Sequence, residues 1–402
     1  MSIETIIYIV DLLLWAIMAA NVLYVLFFAL TSLLPKKNPS PSTIHRQPST
    51  FFVLFPAYHE DAVIKYSIET FLRQDYPKDL YEVAVISDNM LPETNLWLSQ
   101  QPITLLQPNF EKSSKAKALQ YAIHQTSVIR HLTYNYVVIL DADNIVAPDF
   151  LTRLNRIVRP DEAIQCHRTA KNADNDIAAL DGISEEINNS IFRRGHNRIG
   201  MSSALIGSGM CFSYNWFKNN VIHLDSAVED RELEALLMKQ HIFIHYADDI
   251  HVLDEKVSNS DNFQRQRLRW MTGQVQAFFR MLPYIPKAII TANINYIDKT
   301  IQQALIPRSI LLVLTPILTI LAFVGGLFSV LSSLLSVLKW LFLLIALIIA
   351  LFIATPGPLR TRALLGKILT LPQLVWQMMK NIMHIHPQNK EFLHTSHHHN
   401  QG

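Results

Sequence analysis

The hydrophobic residues of this chain form two patterns, long continuous runs near its ends and short interrupted runs between them. The long runs cover residues 3–34, 310–332 and 337–355. Each is long enough to cross a membrane, because about 20 apolar residues span the hydrocarbon core of a bilayer. Residues 50–300 instead have short apolar runs separated by polar segments, which is typical of a soluble domain. The pattern therefore predicts a soluble domain between membrane helices.

Basic residues beside the long runs indicate the direction of each crossing. Lys36, Lys37 and Arg46 follow the first run, and no basic residue precedes it. Because cytoplasmic flanks carry an excess of Lys and Arg, we expect the chain from Lys36 onward to lie in the cytoplasm. The first run is also too long for a signal-peptide core, so we expect an uncleaved helix. Arg360 and Arg362, after the last run, agree with a return to the cytoplasm.

These patterns divide the chain into six segments and predict an integral, multi-pass membrane protein. The predicted segments are a first transmembrane helix at 1–35, a linker at 36–49, the soluble domain at 50–280, interfacial helices at 281–309, two transmembrane helices at 310–356, and an interfacial helix and tail at 357–402. The size and simple organisation of the chain favour a bacterial inner membrane, with the soluble domain in the cytosol.

The soluble region alternates between strand and helix patterns. Phe51–Phe55, Glu82–Ser87 and Tyr136–Leu140 are apolar runs typical of buried strands, and residues 61–74 and 113–130 have helical spacing. This alternation predicts an α/β fold in which helices cover a parallel sheet. In open sheets of this kind, ligands bind beyond the carboxyl ends of the strands.

Two of the predicted strands end in carboxylates. Asp88 follows the second strand, and Asp141 and Asp143 follow the third. Two like charges this close are costly unless a cation lies beside them. Oxygen ligands at an open site suit Mg²⁺ or Mn²⁺ bound to substrate phosphates. Since Asp-Ala-Asp-Asn is also good turn chemistry, the pair by itself leaves a metal site and a plain turn as equal alternatives.

Three further segments carry groups suited to phosphate binding or acid–base chemistry, and each has a structural alternative. Lys115 or Lys117 can meet a phosphate, or either can lie on a solvated helix face. The turn Gly207-Ser208-Gly209 can let the backbone approach a ligand closely, or it can be a plain loop. Glu229 or Asp230 can act as a general base, or both can be acids favoured at a helix start.

Residues 264–270 read QRQRLRW, a dense group of arginines and glutamines that ends in a tryptophan. Guanidinium groups match phosphate oxygens, and Trp270 offers a flat surface to a sugar ring. The alternative is a basic juxtamembrane helix that touches anionic lipid. The formal net charge of +2 argues against nucleic-acid binding through overall charge. Two cysteines are too few for a disulfide framework or a zinc site.

Taken in chain order, these residues resemble the four motifs of membrane-bound family 2 glycosyltransferases. That group includes cellulose, chitin and hyaluronan synthases and the ceramide glucosyltransferases. Asp88 resembles the D motif, Asp141-Ala-Asp143 the DxD motif, Glu229-Asp230 the (T/E)D motif, and Gln266-Arg-Leu-Arg269-Trp270 the QxxRW motif. The resemblance covers residues 50–280 and the flanking helices. It implies a GT-A nucleotide-sugar-binding domain with flanking transmembrane helices.

The resemblance implies a role for each motif residue, and Lys117 is expected to join the donor site. The expected donor-binding residues are Ala57, Tyr58, Glu60, Asp88, Lys117, Asp141 and Asp143. The expected metal ligands, for Mg²⁺ or Mn²⁺, are Asp143 and Asp141. The expected catalytic residues are Asp230, as the base, and Glu229. The expected acceptor and diphosphate residues are Gly207, Ser208, Gly209, Gln266, Arg269 and Trp270. Arg168, Lys171 and Asn172 also resemble a family segment.

Three hypotheses about function follow. The first is an inverting, metal-dependent glycosyltransferase that adds hexosyl or N-acetylhexosaminyl groups from a UDP-sugar to a growing polysaccharide. The second is a single-transfer enzyme with a membrane lipid acceptor. The third is a membrane scaffold without activity. Val228 stands where processive synthases commonly have Thr, and the three confident spans are few. Partners that complete a secretion channel therefore stay an open alternative for a polymer product.

Overall fold

The computed structural model describes residues 3–36, 47–129, 133–172, 175–226, 228–256, 260–327 and 334–361. The chain divides into two compact units. The α/β unit comprises the described residues of Lys37–Glu185 and Gly200–Gln303, and the membrane-helix unit comprises those up to Lys36, those of Glu186–Ile199 and those from Ala304 to Thr361. Most of the predicted linker and of the predicted tail lies outside the described residues.

The described residues form eight strands and fourteen α-helices. The strands are β1 Phe51–Tyr58, β2 Tyr81–Asp88, β3 Thr104–Leu106, β4 Tyr136–Ile139, β5 Ile145–Val146, β6 Glu162–Ala170, β7 Met210–Ser213 and β8 Phe243–Asp254. The helices are α1 Ile3–Thr31, α2 Ile64–Phe71, α3 Pro92–Ser99, α4 Lys115–Ile129, α5 Phe150–Asn155, α6 Asp176–Asn188, α7 His196–Arg198, α8 Tyr214–Asn220, α9 Glu229–Lys239, α10 Ser260–Met281, α11 Ile285–Ile290, α12 Ile294–Ala304, α13 Arg308–Leu327 and α14 Leu334–Ala354.

All eight strands belong to one sheet, in the order β3-β2-β1-β4-β7-β6-β8-β5. The strands β1, β2 and β4 are parallel, as the sequence predicts, and the short strand β3, which was not predicted, pairs in parallel with β2. The rest of the sheet is mixed: β7 runs antiparallel to both β4 and β6, β6 and β8 are parallel, and β5 is antiparallel to β8. The hydrophobic pattern identifies a buried strand but does not encode its direction, so the mixed half was not predictable from it.

The sheet is buried on both faces, which explains the unbroken apolar run of β1. Phe51, Val53 and Phe55 pack on one face with residues of α2 and α5. Phe52 and Leu54 pack on the other face with residues of α4 and α9. Because β1 pairs with β2 on one side and β4 on the other, the carboxyl ends of these strands meet at one edge.

The membrane-helix unit contains the three predicted spans. Within the described part of the chain, α1, α13 and α14 are long and apolar enough to cross a membrane. Their shared core includes Met18, Val22, Leu311, Trp340 and Leu343. The acidic residue that interrupts α1, Asp11, is paired inside this unit: it forms an ion pair with Lys339 and accepts a 2.7 Å hydrogen bond from the Trp340 indole. Such pairing lowers the cost of a charge inside a span.

Residues 186–199 belong to the membrane-helix unit, whereas the sequence analysis placed them in the soluble domain. They include a π-helical segment, Asn189–Gly195. The imidazole ring of His196 stacks on Phe28 of α1 with 3.5 Å between ring centroids. Thr31 donates a 3.0 Å hydrogen bond to the Gly195 carbonyl oxygen. The segment contains few apolar residues, so its hydrophobic pattern did not predict this packing.

Candidate active site

The carboxyl ends of β1 and β2 lie side by side and carry the first set of predicted residues. The strand register pairs Ala57 with Ser87 and Tyr58 with Asp88. Each strand is followed by a residue with positive φ, His59 at 54° and Asn89 at 55°. Non-glycine residues with positive φ are uncommon outside turns. Here each of them turns the backbone away from the sheet directly after its strand. The edge predicted to bind a ligand is therefore formed by tight turns.

Asp88 lies buried at this edge. Asn89 donates a 3.0 Å hydrogen bond to its Oδ1 atom. Burial raises the pKa of Asp88 above its usual value, while the Ser113 hydroxyl and the positive charge of Lys117 act in the opposite direction. At the end of β1, the Glu60 amide donates to the sulfur of Met90 at 3.1 Å. This contact ties the turn after β1 to the turn after β2.

The segment Asp141–Asn144 after β4 is a turn closed by the side chain of Asn144. The Asn144 Oδ1 atom accepts a 3.0 Å hydrogen bond from the Asp141 amide, and its Nδ2 donates to Asp143 Oδ1 at 3.1 Å. Asp143 Oδ2 also accepts from the Glu255 amide at 2.8 Å. The turn chemistry of the structural alternative is therefore present: the Asn144 side chain bonds the Asp141 amide and the Asp143 carboxylate, a role that the sequence pattern did not indicate. A metal site at Asp141 and Asp143 stays a prediction.

Behind Asp143 lies a buried network of charges at the ends of β6 and β8. Arg168 donates to Glu185 at 2.9 Å, and Lys256 donates to Asp254 at 2.8 Å. Asp254 in turn accepts from Asn144 at 3.3 Å. Burial alone would lower the pKa of Arg168, but the charges of Asp254 and Glu185 hold that pKa well above its usual value. Arg168 thus belongs to the framework that supports the Asp141–Asn144 turn.

Lys115, the first residue of α4, lies at the centre of the site. Its ammonium group forms an ion pair with Asp141, donates a 2.7 Å hydrogen bond to the Gly207 carbonyl oxygen, and lies 3.4 Å from Glu229 Oε1. Burial would lower the pKa of Lys115, but the charges of Asp141 and Glu229 outweigh burial and raise it. One cation therefore joins two of the predicted motifs and the glycine turn.

Lys117 has different surroundings from Lys115, although both lie on α4. Its ammonium group is exposed and donates a 2.7 Å hydrogen bond to the Lys112 carbonyl oxygen. Its charge acts on Asp88 rather than on the Asp141–Asn144 turn. Donor binding by Lys117 stays a prediction, and Lys115 is the lysine that contacts the carboxylates.

The turn Gly207-Ser208-Gly209 lies against both groups of acids. Gly207 and Gly209 have φ values of 82° and 64°, a backbone conformation that suits glycine. The buried Ser208 hydroxyl donates to Asn144 and accepts a 3.2 Å hydrogen bond from the Asp141 amide. A Cβ atom placed on Gly207 would lie 3.7 Å from Glu229 Oε1 and 3.8 Å from Asp230 Oδ2. This turn thus runs between the end of β4 and the start of α9.

Glu229 and Asp230 begin α9, but their environments differ. Glu229 is buried, and burial raises its pKa while Lys115 opposes that rise. Asp230 is partly exposed; its Oδ1 accepts a 2.9 Å hydrogen bond from the Arg231 amide, and its Oδ2 is the atom beside Gly207. Acids in the first helical turn are also favoured by the helix dipole, so the structural alternative holds for both residues as well.

The predicted residues Gln266, Arg269 and Trp270 lie on α10, and all three are partly buried. The guanidinium of Arg267 covers Trp270 at 4.9 Å from the ring centroid and forms an ion pair with Asp181. Helix α10 packs close to Glu229-Asp230 at Gly273, about one helical turn after Trp270. A Cβ atom on Gly273 would overlap the side chain of Val228, directly before Glu229-Asp230. The contacts of Gln266, Arg269 and Trp270 with substrate stay predictions.

An α/β sheet with acidic strand ends is the arrangement that the resemblance to family 2 glycosyltransferases leads us to expect. The model described as "Glycosyl transferase family group 2" matches residues 136–354, and "Glycosyl transferase family 2" matches residues 52–219. The chain therefore belongs to glycosyltransferase family 2 and is a glycosyltransferase. These matches confirm the predicted family, fold and enzyme class, and they leave the scaffold hypothesis without support.

A solved mannosyltransferase structure supports the fold assignment, and two further structures are similar to this chain at lower TM-scores. A mannosyltransferase from Pyrobaculum calidifontis, in complex with GDP-Man and Mn²⁺, is 18% identical to this chain with a TM-score of 0.52, covering 83% of this chain and 95% of that one. S. aureus TarS 1–349 with UDP-GlcNAc is 15% identical, covering 83% and 88%, with a TM-score of 0.39. Glucosyl-3-phosphoglycerate synthase from Mycobacterium tuberculosis is 15% identical, covering 53% and 72%, with a TM-score of 0.37. No curated protein matches the sequence.

Proposed function

We propose that this glycosyltransferase moves a hexosyl or N-acetylhexosaminyl group from a UDP-sugar to the hydroxyl group of a growing polysaccharide, with inversion at the anomeric carbon. The observation that carries the proposal is the cluster around Lys115. A single ammonium group contacts Asp141, at the expected donor end, and Glu229, beside the expected base. Donor and acceptor chemistry would therefore meet within the reach of one lysine side chain.

Asp230 is the residue best suited to act as the general base. Glu229 is buried and its carboxylate is already paired with Lys115, which leaves it less accessible to an acceptor hydroxyl. Asp230 is partly exposed, and one of its oxygens lies beside the Gly207 turn. In the proposed step, Asp230 takes the acceptor proton while the acceptor oxygen bonds to the anomeric carbon and the bond to the diphosphate oxygen breaks. An α-linked donor then gives a β-linked product, and a nucleoside diphosphate leaves.

Lys115 and Glu229 have supporting roles in this proposal. The raised pKa of Lys115 keeps the ammonium charged at neutral pH. Its hydrogen bond to the Gly207 carbonyl oxygen holds the glycine turn beside Asp230. Fixed positive charge near a departing diphosphate stabilises the charge that develops there. Arg269 on α10 is proposed to add a second positive charge, and Gln266 and Trp270 to hold the acceptor sugar.

Asp141 and Asp143 fit a divalent cation in part. In the described part of the chain, no three His, Cys, Asp or Glu side chains come together as a complete ligand set. Two carboxylates are nevertheless what Mg²⁺ or Mn²⁺ commonly takes from a protein when substrate phosphates and water supply its other ligands. Asp143 is held in place by the Asn144 side chain and the Glu255 amide. When bound, the cation would neutralise charge on the diphosphate.

The remaining donor contacts follow from the resemblance and from the shared strand edge. Ala57, Tyr58 and Glu60 are proposed to lie against the nucleotide base, and Asp88 to contact the uracil or ribose. A UDP-linked donor is the proposal, although the mannosyltransferase with the similar fold was solved with GDP-Man. Both nucleotides therefore belong in the first assay.

A second candidate is a single transfer to a membrane lipid. Three candidate spans in the described residues favour it, because they provide few helices to line a passage for a polymer. For either acceptor, we propose an integral protein of a bacterial inner membrane with the α/β unit in the cytosol. A polymer product would point to partners that complete a secretion channel.

The test is a product assay on detergent-purified protein with Mn²⁺, membrane lipids, and a panel of UDP-sugars and GDP-mannose. Sizing the product separates a polymer from a lipid that carries one sugar, and NMR of the new linkage reports inversion or retention. Replacing Asp230 by Asn should lower transfer by about 10²–10⁴-fold while nucleotide binding by calorimetry persists. Loss of nucleotide binding in that variant would assign Asp230 a structural role. Retention of configuration would overturn the mechanism.

A further inference from the structure

Two buried carboxylates lie one helical turn apart on α6. Asp181 and Glu185 are both buried, and a spacing of four residues places them on the same side of the helix. Buried carboxylates are costly unless they are paired. Glu185 pairs with Arg168 of β6 at 2.9 Å. Asp181 pairs with Arg267 of α10. Helix α6 therefore connects the end of a central strand to the helix that carries the QxxRW motif.

The Glu185 side of α6 is held by the charge network at the ends of β6 and β8. The Lys256 ammonium group lies 2.8 Å from Asp254 Oδ2 and 3.8 Å from Glu185 Oε2. The guanidinium of Arg168 also lies 3.8 Å from Asp254 Oδ2. Asp254 accepts a 3.3 Å hydrogen bond from the side chain of Asn144. Helix α6 is thus tied to the residue that also contacts the expected metal ligands.

Close packing fixes the position of α6 at its Asp181 side. A Cβ atom on Gly182 would lie 2.9 Å from the Cβ atom of Ala170, so the helix backbone lies directly against the end of β6. Burial would lower the pKa of Lys256, but carboxylates that include Asp254 and Asp181 raise it. Asp181 therefore acts on the same network, and a shift of α6 would disturb ion pairs on both sides of the helix.

On α10, the residue that pairs with Asp181 also contacts the predicted sugar platform. Arg267, Trp270 and Gly273 follow one another at intervals of three residues, so each is a neighbour of the next on the helix surface. The guanidinium of Arg267 lies 4.9 Å from the centroid of the Trp270 ring, within the range of a cation–π contact. Gly273 packs against Val228. Trp270 therefore lies between two points at which α10 is fixed to other elements of the α/β unit.

We propose that Arg267 and Asp181 are positioning residues that hold the indole ring of Trp270 in one orientation for an incoming sugar. The side chain of Arg267 is 20% exposed and that of Asp181 is 5% exposed, so their contact is largely shielded from water. A planar guanidinium that is held by a buried carboxylate gives the ring a flat support on one side. Rotation of the ring would lose this support, so the ring keeps one plane and a sugar stacks on its opposite face.

The consequence for transfer rests on the proposed function, in which Trp270 holds the acceptor sugar. A ring that changes its orientation holds the acceptor less often in line with the anomeric carbon. Water then competes better for that carbon, and more of the UDP-sugar is hydrolysed instead of transferred. A cation–π contact corresponds to a change of about three- to tenfold in an equilibrium. We therefore expect the ratio of free sugar to transferred sugar to rise by about this factor when the support is removed.

The experiment is fluorine NMR of the full chain, purified in detergent with its six tryptophans replaced by 5-fluorotryptophan. Trp270→Phe identifies the resonance of Trp270. Arg267→Met and Asp181→Asn each remove one member of the pair, and the double variant removes both charges in case a single variant fails to fold. Arg267→Lys keeps the charge without the planar guanidinium. The matched control is Arg280→Met, because Arg280 lies on the same helix and also forms an ion pair, with Glu232.

We expect the Trp270 resonance to move in Arg267→Met, in Asp181→Asn and in the double variant. It should lie nearer its native position in Arg267→Lys and stay in place in Arg280→Met. An unmoved resonance in the double variant would overturn the proposal, because the ring would then keep its orientation without the pair. An equal movement in Arg280→Met would also overturn it, in favour of a general loosening of α10.

Hydrolysis and transfer of a radiolabelled UDP-sugar then test the role of the pair toward the acceptor. In Arg267→Met, the ratio of free to transferred sugar should rise, whereas the affinity for UDP with Mn²⁺ in calorimetry should stay unchanged. An unchanged ratio with a moved resonance would overturn the role of the pair in acceptor positioning. If the native protein transfers no sugar, the proposed function fails, and the position of the resonance still decides whether Arg267 and Asp181 orient the ring.

Discussion

Replacing Lys115 by methionine removes the cation that joins three segments of the site while keeping a side chain of similar length. In the native protein, the ammonium group contacts Asp141, the Gly207 carbonyl oxygen and Glu229. Methionine fills irregular space well, so the change removes charge with little loss of packing. Asp141 and Glu229 are then left without the positive charge between them. The variant therefore measures how strongly this cluster depends on one buried ion.

The expected magnitude follows from the burial of the partners. The side chains of Lys115 and Glu229 are 16% and 10% exposed, and breaking a buried pair on one side costs about 3–5 kcal/mol. Asp141 is 32% exposed, so solvent screens its contribution, which falls toward the ~0–1 kcal/mol of surface pairs. We expect the free energy of unfolding to fall by about 3–5 kcal/mol. For a domain of this size that corresponds to a Tm lower by about 6–20 °C.

The loss of stability in Lys115→Met should depend on pH, and the direction of that dependence follows from the pKa of Glu229. Burial raises the pKa of Glu229 in the folded protein, and Lys115 opposes that rise. Without Lys115, the folded pKa rises further above the unfolded value, so the folded state binds a proton more readily than the unfolded state does. Stability then falls as pH rises from the unfolded pKa, about 4.3, toward the folded pKa. The deficit of the variant should therefore be smaller at about pH 5 than at about pH 7.

The assay is thermal unfolding of detergent-purified protein, followed by tryptophan fluorescence at one fixed scan rate, since such proteins often unfold irreversibly. Lys117→Met is the matched control, because Lys117 lies on the same helix and its ammonium group is exposed. Its Tm should change by less than about 2 °C. Adding Glu229→Gln to Lys115→Met should restore part of the Tm, because the uncompensated charge is then gone. Equal Tm values for the Lys115 and Lys117 variants would refute the reasoning.

Three further predictions concern packing and the metal. Gly273→Ala should lower transfer, because its Cβ overlaps Val228 beside the acids, and adding Val228→Ala should restore activity; a fully active single variant would contradict this packing. Gly195→Ala should lower the Tm through overpacking that costs about 1–3 kcal/mol, because its Cβ overlaps the Phe28 carbonyl oxygen. Gly357→Ala, whose Cβ meets no atom within 4 Å and whose backbone has no positive φ, is the control, and equal Tm values for the two variants would contradict this packing. Chelation with EDTA should abolish donor binding in calorimetry, as should Asp143→Asn with Mn²⁺ present, and unchanged binding in both would remove the metal from the proposal.

The chain's sequence predicted those features that depend on neighbouring residues. The three spans are identified because an apolar run of about 20 residues is a local property. The strands β1, β2 and β4 are found for the same reason, since buried strands show continuous apolar runs. Asp88 is the last residue of β2 and Asp141 follows β4, and the parallel pairing of β1 with both neighbours puts these two strand ends on one edge of the sheet.

The sequence did not distinguish residues that look alike locally. Lys115 and Lys117 are two positions apart on the same helix, and only the former contacts the acids. Asn144 reads as a turn residue, but its side chain holds both Asp141 and Asp143. Arg168 was noted through the resemblance, and its function as the partner of Glu185 and Asp254 came from the structure.

By itself, the sequence determined that this protein has helices long and apolar enough to cross a membrane before and after an α/β domain, and it placed the acids at strand ends. Tertiary structure alone decided which charges meet. Lys115 is 26 residues from Asp141 and 92 from Gly207, and the order of strands in the sheet brings these positions together. Tertiary structure also decided which side chains of α12 are buried, since Lys299 lies inside while Ile294 is exposed. The physical reason in both cases is that pairing and burial are set by the surroundings of a side chain, which a local pattern does not contain.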